Sequence, residues 1–301
     1  MEKRYIKQVE LLLRIAPEIR KVEEFALHGG TAINLFYHNM PRLSVDIDLT
    51  YIPFENRNND LHNISLLLKK LAKIIQHYIP AIQINFKNTD NNEEKLFCRL
   101  NNVEVKIEVN TINRGIIGKP EKHLLCKSAQ EEFNSFFEMQ LIPEGQLFGG
   151  KIVAALDRQH PRDLFDTMQM LNNTGLTDQI MIGFLFCLFS SKRPFDELLC
   201  PNSLNQTSIF ESHFKGMTKV PFNNDIYVSE RARLIQAIND NLSINQKEMV
   251  LSIAKGEPNW LYEDWSIYPG IAWKQKNIGI LKKRNSEKFK TQINNLEKIL
   301  S

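Results

Sequence analysis

The chain has 301 residues, of which 43% are hydrophobic and 24% charged, with a formal net charge of +3 and a pI near 8.5. That is the composition of an ordinary globular protein long enough for two domains, and its mild charge neither demands nor excludes a nucleic-acid partner. The widely spaced Cys98, Cys126, Cys187 and Cys200, with no CxxC pair, argue against a disulfide framework or a zinc site and place the chain in a reducing cytoplasm.

Taken in chain order, residues 1–21 are too charged for a signal peptide. Residues 5–20 carry Val9, Leu12, Leu13 and Ala16 at helical spacing. Residues 25–27 form a short strand candidate ending at Gly29-Gly30. Thr31 is placed to cap a helix through residues 34–37, which Pro41 ends. Residues 45–51 read as a second strand and residues 61–78 as a helix with Leu66, Leu67, Leu68, Leu71 and Ile75 on its apolar side. Three successive strands follow at 81–86, 95–100 and 103–109, with Asn101-Asn102 as a two-residue hairpin turn between the last two. From Pro143 the pattern turns helical, first at 144–157 and then at 161–171, where Pro161 suits a first helical turn. The longest apolar run, 180–189, is too short to span a bilayer and reads as a buried helix, so no membrane partner is expected. Beyond Asn172 helical patterns dominate and no strand stands out. The break at Asn172-Asn173-Thr174-Gly175 sets the expected domains at 1–175 and 176–301.

The chemistry lies in the first half. Asp46 and Asp48 are i and i+2 on a strand, so their carboxylates project side by side among Val45, Ile47 and Leu49. Two ionised carboxylates so close repel each other in a setting that hydrates them poorly, and a divalent cation resolves the conflict. If the 103–109 strand lies beside them, Glu108 adds a third carboxylate. Such an oxygen set suits Mg²⁺, and two such ions can activate an attacking hydroxyl and stabilise a departing pyrophosphate. Gly29-Gly30 supplies the complement, since their backbone can approach a triphosphate and the following helix start turns N–H groups toward its charge. Each piece also has a plainer reading. A glycine pair is often only a turn, Glu108 could be an exposed strand residue, and His28 is better read as a packed histidine than as a metal ligand.

The segments Leu27-His28-Gly29-Gly30-Thr31-Ala32 and Arg42-Leu43-Ser44-Val45-Asp46-Ile47-Asp48-Leu49 resemble the AbiEii/AbiGii toxin family of the DNA polymerase β-like nucleotidyltransferases. A second block strengthens the resemblance. Lys151-Ile152-Val153-Ala154-Ala155 runs through to Arg158, and Arg162-Asp163-Leu164-Phe165-Asp166 follows. Lys151, Ala155 and Arg158 share one helix face, and Asp163 and Asp166 share another. The resemblance covers roughly residues 20–170. It implies a mixed α/β nucleotidyltransferase sheet with flanking helices, followed by a helical bundle. It also implies Mg²⁺- or Mn²⁺-dependent transfer of a nucleoside monophosphate from an NTP to an acceptor hydroxyl, with a tRNA 3′ end as the acceptor and a separately encoded antitoxin as partner. Asp46, Asp48 and Glu108 would hold the metal, while Gly29, Gly30, Thr31 and Ser44 cradle the triphosphate. Lys151 and Arg158 would meet phosphate charge, with Asp163 or Asp166 orienting Lys151 or serving as base. For Asp163 and Asp166 the alternative is helix capping and ion pairing with Arg158 and Arg162. Two other functional readings stay open: a nucleotide-binding regulator without turnover, and transfer of the nucleotide to a protein side chain.

Near the carboxy-terminal end, Trp260, Trp265 and Trp273 gather with Tyr262 and Tyr268, which reads first as aromatic packing. The basic run Lys274, Lys276, Lys282, Lys283, Arg284, Lys288 and Lys290 is either a solvated helix face or a surface for an RNA backbone.

Overall fold

The computed structural model describes residues 1–89 and 92–301. They fall into two compact units, one of residues 1–143 with 214–221 and one of residues 144–213 with 222–301.

The first unit contains α1 (Lys3–Ile19), β1 (Phe25–His28), α2 (Gly29–Ala32) running into a π-helical turn (Ile33–Tyr37), β2 (Ile47–Tyr51) and α3 (Arg57–Tyr78). It continues through β3 (Gln83–Thr89), β4 (Asn92–Leu100), β5 (Val103–Asn110), β6 (Glu121–Leu124), α4 (Lys127–Phe133) and β7 (Glu138–Leu141). The strands form one mixed sheet in the order β3-β4-β5-β2-β1-β7-β6. β2 runs antiparallel to β1 and parallel to β5, and β7 runs parallel to β1.

Along β5 the chain alternates buried Val105, Ile107 and Val109 with half-buried Lys106 and Glu108. α1 packs on β5 and α3 on β4, each through a stripe that includes Val9, Leu12 and Ile15 on α1 and Ile64, Leu68, Leu71 and Ile75 on α3. Each such fully buried side chain contributes about 1.5–3 kcal/mol. The opposite face of β2 and β5 is thereby left to the charged residues. The hairpin at Asn101-Asn102 is as expected, with φ of 48° and 67° and Leu100 facing Val103. Both angles lie in the left-handed region that a two-residue primed turn requires and that asparagine tolerates.

Beyond Leu66, which is 51% exposed rather than on the apolar side of α3, and Asp46, which precedes β2 rather than lying on it, four features differ from the sequence-based expectation. β6, β7 and α4 are additional elements: the two strands are only four residues long, and β6 keeps a polar, half-exposed edge. The helix after β1 starts at Gly29 with His28 at its N-cap position, so Thr31 lies inside the first turn rather than capping it. Residues 214–221 leave the helical pattern and return to the first unit. There Met217 accepts a hydrogen bond from the Leu43 amide at 2.8 Å, Arg42 and Thr218 form a bridge, and Phe214 and Met217 are buried. Finally, the compact units divide at Pro143, earlier than the break expected near residues 172–178.

The second unit is helical: α5 (Glu144–Arg158), α6 (Pro161–Asn173), α7 (Asp178–Phe189), α8 (Phe195–Leu199), α9 (Thr207–His213), α10 (Asn224–Asn241), α11 (Ile244–Ala254), α12 (Pro269–Arg284) and α13 (Ser286–Leu300). The earlier division follows from how α5 packs. Gly145 and Gly149 let its backbone press against α7 at Gly183, so closely that a Cβ on Gly183 would sit 1.9 Å from the Gly145 carbonyl oxygen. That contact draws residues 144–173 into the helical unit. α7 is the fully apolar helix expected over 180–189, with Ile180, Phe184, Leu185 and Phe189 buried. Its Phe186 meets Trp265 and Tyr268 edge-on at 5.4 and 4.8 Å, so the aromatic cluster is packing, whereas Trp273 on α12 is 53% exposed. Among the described residues no helix is long and apolar enough to cross a membrane.

Gly183→Ala is expected to destabilise the protein by about 3 kcal/mol or more, since overpacking against rigid backbone has no rotamer to relieve it. A fall in the thermal unfolding midpoint would register this, and an unchanged midpoint would show that α5 and α7 can move apart freely.

Candidate active site

The site is built where β1 ends and β2 begins. Antiparallel pairing sets His28 opposite Asp48, so the chain turns into α2 directly over that carboxylate. Gly29 adopts φ +73°, and a Cβ there would lie 2.5 Å from Asp48 Oδ2. Only glycine meets both conditions without strain. Gly30 is equally constrained: a Cβ would lie 2.7 Å from Arg42 Nη2 and 3.0 Å from Ser44 Oγ. The turn is braced from behind. The Thr31 hydroxyl bonds to the Asp46 carbonyl oxygen and lies 3.0 Å from Ser44 Oγ, while Asn34 Nδ2 donates to the Gly30 carbonyl at 2.9 Å. Arg42, buried like Ser44, donates to the Leu43 carbonyl at 2.8 Å.

Asp46 and Asp48 are both half-buried, while Val45, Ile47 and Leu49 between and around them are buried. The pair is an oxygen-donor set suited to a hard divalent cation. Glu108 comes level with Asp48 across the parallel β2–β5 pairing, as the sequence anticipates. Its two oxygens, however, are taken by Lys95 Nζ on Oε1 and Lys106 Nζ on Oε2, each at 2.7 Å. Burial alone would raise the Glu108 pKa, but the hydrogen bonds and charges of Lys106 and Lys95 outweigh it and hold the carboxyl below its ordinary range. Lys106 is likewise kept charged: burial opposes its charge, and Glu108, Asp46 and Asp48 together overcome that and raise its pKa. Among the described residues no cluster of three acidic, histidine or cysteine side chains is arranged to hold a metal. Glu108 is engaged by its two lysines, which leaves Asp46 and Asp48 as the remaining carboxylate donors on this face.

The other sequence-predicted residues lie in the second unit. Lys151 on α5 is buried between two carboxylates of α6, 2.9 Å from Asp163 and 3.0 Å from Asp166. Arg158, whose side chain is 63% exposed, grips Asp163 from the other side through Nε and Nη2 at 2.5 and 3.0 Å. The α5–α6 corner that brings them together is fixed by buried Gln159. It turns through φ +49°, bonds Asn202 and Leu204 through its side chain, and accepts from the Tyr227 hydroxyl at 2.7 Å. Burial would push the Asp163 pKa up, yet Lys151 and Arg158 hold it far below the ordinary carboxylate range.

The basic run near the carboxy-terminal end is not one surface. Lys274 is buried, donates to the Arg193 carbonyl and lies 4.6 Å from the centre of the Phe195 ring; burial lowers its pKa to about 8. It belongs to the interior of the helical unit and is withdrawn from the set of RNA-facing candidates. Lys282 is bound to Glu257 and the Lys255 carbonyl, both at 3.1 Å. Lys276, Lys283 and Arg284 are exposed. Lys95 and Lys106 beside the carboxylates, and Arg42 beside Gly30, are the residues that sequence spacing does not single out. Of these, only Lys106 carried a signal, two places before Glu108 on the same alternating strand.

The fold has a solved counterpart in MenT4, a nucleotidyltransferase toxin from Mycobacterium tuberculosis H37Rv. It matches with a TM-score of 0.60 over 92% of this chain and 93% of that one, at 11% sequence identity. A chain of the GLD-2/RNP-8 complex aligns over 98% of this chain and 93% of its own at 10% identity, but its TM-score of 0.29 is too low to bear on the fold. No curated protein sequence matches. The likeness establishes the fold: a mixed sheet that sets a glycine-opened helix against the Asp48 carboxylate. The family model "Nucleotidyl transferase AbiEii toxin, Type IV TA system" matches residues 10–239, and the chain belongs to that family. Membership carries with it an NTP substrate and an antitoxin counterpart.

Lys151→Met leaves two buried carboxylates without their shared cation and is expected to cost about 3–5 kcal/mol of stability. Urea unfolding measures it, and a cost below 1 kcal/mol would mean that Arg158 alone compensates both carboxylates.

Proposed function

We propose that this protein transfers a nucleoside monophosphate from an NTP to an acceptor hydroxyl on RNA, with a tRNA 3′ end as the acceptor, in a reaction that depends on Mg²⁺ or Mn²⁺. It would do so in the cytoplasm as the toxin of its pair. The observation that carries the reading is the approach of Gly29 to Asp48. It sets a helix start directly beside the Asp48 carboxylate, which supports a triphosphate site and a cation site on one edge.

In this reading Asp46 and Asp48 would hold the metal, and Gly29 and Gly30 would receive phosphate oxygens through their backbone. When bound, a divalent ion would polarise the α-phosphate and offset the charge of the departing pyrophosphate. The acceptor oxygen attacks the α-phosphorus, the bond from that phosphorus to the oxygen bridging the β-phosphate breaks with release of pyrophosphate, and the acceptor's proton passes to solvent water. Thr31 and Ser44 serve by bracing the turn, since the Thr31 hydroxyl is spent on the Asp46 carbonyl. Lys151 is assigned to phosphate charge, with Arg158 beside it. Two cations on one carboxylate make Asp163 a poor proton acceptor, which favours Asp163 and Asp166 as groups that orient Lys151 rather than as bases. Lys276, Lys283 and Arg284 are free of the interior contacts that occupy Lys274 and are the remaining basic candidates for RNA contact.

Incubation with α-labelled NTPs and total RNA tests the reading. Asp46→Asn and Asp48→Asn are each expected to lower label transfer by at least about 10³-fold, as loss of an electrostatic group acting on the transition state does. Full transfer by the double variant would overturn it, and label that enters protein and survives ribonuclease would move the acceptor from RNA to a side chain. Gly29→Ala, which forces Asp48 aside, is expected to reduce transfer by about 10²-fold while leaving the thermal midpoint within a few degrees, in line with the effect of a 1 Å misplacement.

A further inference from the structure

Around Asp48 the exposed face of the sheet carries charges in two rows. In one row Asp48 on β2, Glu108 on β5 and Lys95 on β4 are cross-strand neighbours. In the next, Lys106 lies one position before Ile107, which pairs with Ile47 at the start of β2, and it lies within the fields of both Asp46 and Asp48. Three carboxylates and two ammonium groups are thus packed into one patch, and their pairing is unequal. Both oxygens of Glu108 are bound by lysines at 2.7 Å, one from each neighbouring position, and all three side chains are about one-third exposed or less. A divalent ion approaching Glu108 would have to displace an ammonium group or sit against it, like charge on like. The lysines are held in place from two sides, because each is fixed on a paired strand and Lys106 is further attracted by the aspartates.

We propose that this catalytic face takes a single divalent cation, on Asp46 and Asp48, and that Lys95 and Lys106 keep Glu108 out of the metal's coordination. Lys106 then supplies the positive charge that a second cation would otherwise bring. Glu108 is a positioning residue: it holds two ammonium groups beside the aspartate pair and does not bind metal. The proposal rests on the assignment of Asp46 and Asp48 to a metal made above.

Mn²⁺ titration of the full-length protein, read by the electron paramagnetic resonance of free Mn²⁺, tests it with and without a non-hydrolysable NTP analogue. The expected result is one Mn²⁺ per chain under both conditions. Glu108→Gln, which removes the carboxylate charge and keeps one acceptor oxygen for one of the two lysines, is expected to leave the Mn²⁺ affinity within about threefold, well under the 10–100-fold that even an outer-shell partner can carry. The double variant Lys95→Met/Lys106→Met frees the Glu108 carboxylate and is expected to take up a second Mn²⁺. Two ions per wild-type chain, a loss of about 100-fold or more in Glu108→Gln, or a double variant that still binds one ion would each overturn the proposal. If wild type binds no Mn²⁺ at all, the assignment of Asp46 and Asp48 fails instead, a result distinct from finding two ions.

Discussion

Everything at the active face depends on one close approach, the backbone of Gly29 against the carboxylate of Asp48. Antiparallel pairing of β1 with β2 sets that distance, because His28 lies opposite Asp48 and the next residue must turn away over it. The positive φ at Gly29 follows from the turn, and the missing Cβ follows from the contact. Gly30 repeats the condition against Arg42 and Ser44, so the two glycines are fixed by different neighbours. A loop held this way loses little freedom when a ligand binds, which is the structural content of preorganisation. The sheet beneath is what makes the loop rigid, with α1 and α3 covering the face that the charges do not use.

The two units handle buried charge in parallel ways. In the first, Asp60 and Arg114 form a fully buried pair at 2.7 Å, and Asp60 also accepts from the Glu55 amide, which ties the start of α3 to the segment after β5. In the second, Lys151 is shared by Asp163 and Asp166. Such groups add little net stability relative to well-packed apolar residues, but they tolerate few alternative arrangements because an unpaired buried charge is so costly. Both pairs therefore specify a geometry more than they strengthen it. At the sheet face the pairing is less buried, and Glu108 with its two lysines keeps some access to solvent.

Much of this was legible in the sequence where the signal was local. The Asn101-Asn102 turn and the apolar run of α7 each depend on neighbours within a few residues, whereas Asp46, expected on the strand with Asp48, lies just before β2 begins at Ile47. What escaped reading depends on register or on distant partners. β6 and β7 are too short to show a period; β7 exists through pairing with β1, and β6 through pairing with β7. Lys95 gains its role only because β4 pairs with β5 so that it faces Glu108. Lys274 looks like one more member of a basic run until Arg193 and Phe195, some eighty positions earlier, are folded onto it. The turn at 214–221 carries no motif and is recruited by buried Phe214 and Met217.

That returning segment bears on how the chain can be assembled and divided. The sheet unit is not a contiguous stretch: its residues 214–221 supply a backbone bond to Leu43 and another from Glu2 to Gly216, and are reached only after α5 to α9 have been made. During synthesis the first 143 residues must wait for this piece before their unit is complete, so its final closure is coupled to progress through the helical unit. A single proteolytic or genetic cut at Pro143 would likewise leave the sheet unit short of a part of its own core. Two cuts and a rejoining would be needed to free it whole.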